Sequence, residues 1–561
     1  MKIGLFLSIS GLLALLSNNS FGQARGHGPF SHVDSLRGSI TPERSWWDVT
    51  RYDLTIKPDY TQKFTSGNNL ITYKVSGKQT TRKMQIDLQP PLNIDSAFLD
   101  GRKKITFTHN PSDSNVWYLD MPVQAMGSSH AVKIFFSGNP HIAVRPPWDG
   151  GWSFSKDSLG RPWMTVCCQG LGASIWYPCK DHQSDEPDNG ASLSMIIPDT
   201  LVGVSNGRMI SEIDNHDGTK TVKWGVKNPI STYCLIPYIG KYVNLKGKYL
   251  GEKGYLDLSF WALDYHEKIA KPYFFDESEK MLTAYEHWFG PYPFYEDSYK
   301  LVETDNTGME HQSNIGYGNH YAPGYRGRDD SHTGYGLKCD FIIVHESGHE
   351  WWGNNLTSYD LADMWVHESF TNYAEALYTE YHWGKKAGND YVFGVRGGIH
   401  NQGTIVPAFN VNAEGTGDMY PKGGNMLHSI RHSLDNDTLF REILRGLQKD
   451  YYHQVVTGKQ VVAYFNKKSG FDYSKVFEQY LNTTQIPTLK YYFTGNEVHF
   501  KYDSCIHGFN LPIAMRDGKN VVKLYPSDKW QSKQITPAQK NLLTQKDISY
   551  MYFINVKETQ D

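Results

Sequence analysis

Three residues within one short segment, FIIVHESGHEWWGNN, have the types and spacing to do chemistry: His345, Glu346 and His349. Residues i and i+4 of a helix lie one turn apart on the same face, so the two imidazoles can hold a single zinc ion. Glu346, next to the first of them, then points beside the metal, where a carboxylate serves as general base on metal-activated water. Glu368, in WVHESFTNYAEALY with 18 residues between it and His349, supplies the third ligand from a second helix. Three protein ligands leave one zinc position open, as a catalytic site requires and a structural site does not. The expectation is one Zn2+ per chain, with Asn372 and Glu375 bracing the ligands from behind.

Positioning these groups requires a mainly helical domain, and the hydrophobic pattern supplies one. Met281, Leu282, Tyr285, Trp288 and Phe289 recur at helical spacing before Gly290-Pro291 stops the run. Further helices are expected at 336–352, 368–382, 422–434, 438–449, 458–468 and 473–481, with Gly446 and Gly470 near helix ends. Ahead of this region, Tyr52, Leu54 and Ile56 alternate with polar residues. So do Met84, Ile86 and Leu88, and Val132, Ile134 and Phe136, as half-buried strands do. Strand patterns return after Thr488.

The 561 residues exceed what one core can hold, and an aromatic share of 14% suits sheet-rich packing. A net charge of -3 with no long basic run excludes nucleic acid as a partner on electrostatic grounds. Lys2 followed by an apolar stretch from Ile3 to Leu16 reads as a signal peptide cleaved near Gly22–Ala24. The protein is therefore expected to be exported, to the periplasm or beyond, without stable membrane insertion. The six cysteines, Cys167, Cys168, Cys179, Cys234, Cys339 and Cys505, read as buried thiols with at most one bridge. Oligomeric state is not readable.

HESGHEWWGN followed by WVHESF resembles the HExxH-x18-E signature of the aminopeptidase N family, which includes leukotriene A4 hydrolase. Three further stretches extend the likeness over nearly all the chain after the signal peptide. TDNTGMEHQSNIGYGN (304–319) is similar to the family's Gly-x-Met-Glu-Asn exopeptidase motif. The resemblance implies that Gly308, Met309 and Glu310 bind substrate, with Glu310 taking the free α-ammonium. Thr307 stands where the family has Gly, and His311 where it has Asn. DMYPKGGNMLHSIR (418–431) resembles the segment whose tyrosine, here Tyr420, donates to the oxyanion formed during hydrolysis. Lys422 in this segment is read as local structure. VCCQGLGASIWYPCKDHQSDEP (166–187) resembles the stretch whose Gln or Glu helps hold the amine, here Gln169, although the spacing to Pro178 is short and the usual Arg is missing. KNPISTYCLIPYIGKY (227–242) and WFGPYPF (288–294) also look like the family and are read as packing.

The fold class so implied is multidomain α+β. It comprises a saddle-shaped all-β domain at 46–245 after an irregular lead-in at 24–45. A thermolysin-like, mainly helical catalytic domain follows at 246–485, then a small C-terminal β-sandwich at 486–561. The family's large helical C-terminal domain has no counterpart in this length. The implied function is hydrolysis of the first peptide bond of peptides with a free N-terminus. A zinc endopeptidase with the same metal site, or a non-catalytic peptide-binding module, would share part of the pattern.

Overall fold

The computed structural model describes residues 30–544 and 547–560; the segment read as a signal peptide, residues 1–23, lies outside them. The lead-in is not wholly irregular. Helix α1 (His32–Gly38) forms there because Ser31 and Asp34 cap each other's backbone N–H groups, a local signal that outweighs a Gly- and Ser-rich context.

Residues 47–240 build sheets around one core. The largest has eight strands in the order Arg208–Asp214, Thr219–Val226, Ala191–Pro198, Trp47–Asp59, Phe64–Val75, Ser129–Gly138, Asn93–Leu99 and Lys103–Ile105. Trp47–Asp59 pairs parallel with Ala191–Pro198 and antiparallel with Phe64–Val75. Its burial alternates, and a register shift between Val49 and Arg51 keeps Trp47, Val49, Tyr52, Leu54 and Ile56 all inward. Smaller sheets of four and three strands complete this half.

A second core begins at Leu245. It lies between a five-stranded sheet opening with Tyr242–Gly251 and Gly254–Leu263 and a set of helices. These are α2 (Glu267–Phe289), α3 (Phe341–Gly348), α4 (Trp365–Trp383), α5 (Lys385–Val395), α6 (Pro421–Leu434), α7 (Asp437–Asp450), α8 (Gly458–Ser469) and α9 (Ser474–Asn482). Helix α4 is buried from Trp365 to Thr379, so it is the central helix of this half rather than a surface one. Helix α3 is shorter than the expected 336–352. It ends at Gly348, and His349 follows in the right-handed helical region at its C-cap. Helix α5 was not foreseen. Gly470 does cap α8 in the left-handed conformation, but Gly446 lies inside α7, where the Tyr464 hydroxyl presses on it.

The C-terminal strands form a four-stranded sheet and a two-stranded hairpin, accompanied by helices α10 (Pro537–Thr544) and α11 (Asp547–Met551). Their apolar residues, from Leu489 to Ile554, belong to the same core as the helices. All six cysteines are free thiols; five are buried, and Cys505 is half-buried. No helix among the described residues is long and apolar enough to cross a membrane.

Candidate active site

Helix α3 owes its start to Asp340, whose side chain accepts the Ile343 backbone N–H at 3.0 Å. Tyr273 and Tyr317 also donate to this carboxyl, and burial pushes it up to about 6. Ile342, Ile343 and Val344 anchor the helix in the core, which fixes His345 and Glu346 on its last turn. The segment WWGNN then turns the chain back. Trp351 packs on Tyr285, and Trp352 stacks on Phe370 of α4 with ring centroids 4.2 Å apart. That turn lays α4 beside α3 and brings Glu368 to the two histidines.

The three ligand candidates converge. Their donor atoms all lie within 4.8 Å of one another. Nε2 of His349 is 3.4 Å from Glu368 Oε2, and Nε2 of His345 is 3.8 Å from it. Two atoms bonded to one tetrahedral zinc at about 2.0–2.1 Å stand roughly 3.3 Å apart, so the pre-set spacing fits the ion. Each imidazole is aimed by its other nitrogen. Glu375 Oε1 lies 2.7 Å from His345 Nδ1, and the Trp352 carbonyl oxygen lies 3.0 Å from His349 Nδ1. Tyr391 of α5 donates to the second Glu375 oxygen at 2.8 Å, and Asn372 lies beside it. Glu368 Oε2 is buried with no hydrogen-bond partner, which suits an oxygen kept for a metal. Burial opposes a charged imidazolium at His349, yet the Glu368 carboxylate overrides this and raises it to about 10. The negative field that traps a proton there is the field that holds a divalent cation.

The remaining expected residues gather around the same cleft, lined by Gln169, Gly308, Met309, Glu310, Glu346 and Tyr420 together with the triad. Gly308 lies flat against α3. A Cβ there would come within 2.7 Å of Ile342 Cγ2 and 3.3 Å of Glu346 Cγ, so the strand Gly308–Met309 can approach the helix only without a side chain. Glu310 is buried, and its Oε1 accepts from the Tyr233 hydroxyl at 3.0 Å. Asn354 holds the Glu310 backbone carbonyl at 2.9 Å. Burial raises the Glu310 carboxyl, His349 pulls it down and Glu368 adds to the rise.

Tyr420 sits just ahead of α6, with its ring 6.0 Å from that of His345. Burial, reinforced by Glu368, Glu414, Glu310 and Glu346, holds its hydroxyl far above the ordinary range, so it remains a proton donor. Helix α6 reaches this position through Gly423 and Gly424. A Cβ on the first would fall 1.9 Å from Ser369 Oγ, and on the second 2.5 Å from Asn372 Oδ1, both on α4. Lys422 donates to Asn401 Oδ1 at 2.8 Å and the Thr483 carbonyl at 2.7 Å, so it ties the start of α6 to two segments distant in the chain rather than serving local structure. Gln169 stands at a turn fastened by Asp181, which accepts from the backbone of Ala173 and Ser174.

The segment 227–242 does more than pack. Tyr233 carries Glu310, and Tyr238 bonds His311 Nδ1 at 2.7 Å. Tyr233 and Asn354 were not singled out from the sequence. Asn354 lies only five residues after His349 and Tyr233 far back in the chain; neither has a spacing to the zinc ligands that marks it in the sequence.

Residues 273–480 match the family described as the Peptidase family M1 domain, and residues 49–234 match the Peptidase M1 N-terminal domain. The chain belongs to peptidase family M1. Leucine aminopeptidase 2 of Vanderwaltozyma polyspora is 24% identical over 355 residues, covering 61% of this chain and 50% of that protein. Aminopeptidase N of Lactococcus lactis subsp. lactis is 22% identical over 333 residues, covering 56% of this chain and 38% of the other. The chain thus matches half or less of the length of these curated relatives. Among solved structures, an M1 zinc metallopeptidase from Deinococcus radiodurans superposes with a TM-score of 0.64 at 18% identity, covering 79% of this chain and 94% of that one. A mutant of that enzyme bound to a Tyr-Ser-Ala substrate gives 0.63 at 18% identity, covering 78% and 95%. The M1 triad of this chain, two imidazoles and one carboxylate, is a donor set for Zn2+.

Proposed function

We propose that this M1 chain is a zinc aminopeptidase that removes the first residue from peptides with a free N-terminus. The observation that carries this reading is the placement of Glu310. Its carboxylate is buried in the cleft that holds the zinc ligands and carries one hydrogen bond, from Tyr233. A buried carboxylate beside the reacting bond favours a substrate that begins with an ammonium group, and an internal stretch of peptide would leave that carboxylate without its counter-charge. The aminopeptidase names of the relatives and the tripeptide held by the Deinococcus mutant agree with it.

His345, His349 and Glu368 would hold the ion, which when bound polarises a carbonyl and lowers the pKa of water. Glu346 takes the proton from the attacking water and passes it to the leaving amine. Without a bound cation, burial pushes the Glu346 carboxyl up to about 7, with Glu310 and Glu368 adding to the rise and the two imidazoles opposing it. Tyr420 donates its hydroxyl proton to the oxyanion as a hydrogen bond. Glu310, with Gln169 lining the same cleft, fixes the amine of the first residue so that its peptide bond meets the metal ligands. A second cavity shares Asp330, Phe341, Asn372 and Glu375 with the cleft and offers room for the departing peptide.

The test compares one peptide in free and N-acetylated form, with wild type and Glu310→Ala. Wild type cleaves only the free peptide, and Glu310→Ala loses about 10²-fold or more in kcat/KM on it, as loss of a charge pairing at a buried site does. Equal cleavage of the acetylated peptide, or indifference to the substitution, means an endopeptidase. We further propose export of the chain. N-terminal sequencing of the mature protein beginning near Ala24, and its absence from the cytosolic fraction, is the result expected.

A further inference from the structure

One large apolar side chain in the catalytic cleft takes no part in the hydrolytic mechanism. Trp148 lines the cleft with Pro147 and Gln169 from the β-rich half, where the helical half contributes Met309, Tyr325, Phe341 and Ile342. Met309 and Ile342 are buried, whereas Trp148 is 50% exposed. Phe341 stacks on His345 with ring centroids 5.3 Å apart and meets Tyr325 edge-on at 5.6 Å. Trp148 meets no aromatic ring and no cation among the described residues, and its indole N–H has no acceptor among them. A lone exposed tryptophan on an outer loop needs no explanation. Trp148 differs because it lines the cleft that holds the zinc ligands and because its backbone is fixed.

The fixing is local. The Trp152 N–H donates to the His141 carbonyl at 2.9 Å and the Ala143 N–H to the Trp152 carbonyl at 3.0 Å, which closes the stem of a short loop. Inside it, Asp149 Oδ2 accepts from the backbone N–H groups of Val144 at 2.6 Å and Arg145 at 2.8 Å, and the Trp148 N–H donates to the Arg145 carbonyl at 2.9 Å. Gly150 then lies flush against the turn that carries Gln169. A Cβ there would come within 2.9 Å of Leu171 Cδ1 and 3.1 Å of the Cys167 carbonyl oxygen. Trp148 is thereby tied to the amine-binding end of the cleft, the end at which a substrate's first residue lies. An indole on a fixed backbone has only two side-chain torsions to lose when it is covered.

Resting on the aminopeptidase reading of this site, we propose that Trp148 is the wall against which the side chain of a substrate's first residue packs, so that the enzyme prefers a large apolar first residue, above all an aromatic one. The carboxylates of the cleft already have the ion, the proton and the ammonium to answer. The uncharged lining, Pro147, Trp148, Met309, Tyr325, Phe341 and Ile342, is apolar or aromatic. An apolar side chain laid on the indole takes both surfaces out of water, and an aromatic one adds a ring-to-ring contact.

Zinc-loaded wild type, Trp148→Ala and Trp148→Phe, each checked for zinc content, are assayed on the coumarin amides of phenylalanine, leucine, alanine and arginine, which vary the first residue alone. Wild type should favour phenylalanine over alanine by about tenfold to a hundredfold in kcat/KM, the range in which an apolar wall separates a large side chain from a small one. Trp148→Ala should shrink that ratio at least about fivefold, and Trp148→Phe, which keeps an aromatic face, should hold it within about threefold of wild type. A wild-type preference for arginine over leucine, a ratio that survives Trp148→Ala, or one common loss on all substrates overturns the proposal. Calorimetric titration with L-phenylalaninamide and L-alaninamide reads binding apart from reaction. Selective binding that Trp148→Ala abolishes, without hydrolysis of any amide, retains the proposal and overturns the aminopeptidase reading instead.

Discussion

In the proposed mechanism Glu346 and the three ligands do separable work, because the base would act on water and the ligands would hold the ion. Glu346→Gln keeps the shape of the side chain and all three donors. It should retain one zinc per chain by metal analysis while kcat falls by about 10²–10⁴-fold. Loss of zinc in this variant would assign Glu346 to the metal rather than to the proton. The same carboxyl sets the acid side of the pH profile. It accepts a proton only when ionised, so kcat/KM falls as pH drops through its pKa. Burial places that value at about 7 without a bound cation, and a divalent ion beside it pulls the value down towards the ordinary carboxylate range. The acid limb is therefore expected below pH 7, and Glu346→Gln should abolish it along with the activity. A profile flat from about pH 4 to 8 contradicts this assignment.

The close contact of α6 with α4 is what brings Tyr420 to the metal ligands. Gly423→Ala would drive a methyl group into Ser369 one residue beyond Glu368, and α6 must move away to relieve it. The expected cost is about 1–3 kcal/mol of stability, with kcat falling more than KM rises. Gly446→Ala is the control. Its Cβ would meet the Tyr464 hydroxyl at 2.3 Å on the far side of the helical core, so stability falls and kcat does not. Equal kinetic effects from the two would mean that the α4–α6 contact has no special hold on the site. Elements of this kind differ in how far the chain betrays them. The imidazoles were legible because one helical turn joins them, and α4 because its aromatic and ligand residues share one run. Helix α5 was not, since between Lys385 and Val395 only Ala387, Gly388, Tyr391 and Val392 are buried and glycines interrupt the run. The grip of Tyr233 on Glu310, 77 positions away in the chain, depends on tertiary packing and leaves no local pattern.

At the scale of the whole molecule, the two cores are fastened along one seam. The fully buried Lys300 donates to the carbonyls of Ser205 at 2.9 Å and Gly207 at 2.7 Å on one side, and of Ser313 at 2.9 Å on the other. Burial lowers its pKa to about 7. Asn206 spans the same seam, donating to the carbonyls of Cys234 and Gln312. Lys300→Met would leave three carbonyls short of a donor, a loss of about 3 kcal/mol or more. Hydrogen exchange should rise in residues 304–319 before it rises in α4; uniform protection in the variant would show that the seam is held elsewhere. Because Tyr233 comes from the β-rich half and Glu310 from the helical half, the proposed recognition of a chain end would be shared between the halves. On that reading, a chimera that exchanged the first half for one without a tyrosine at this place would keep its hydrolytic machinery and hold a peptide's first residue more loosely.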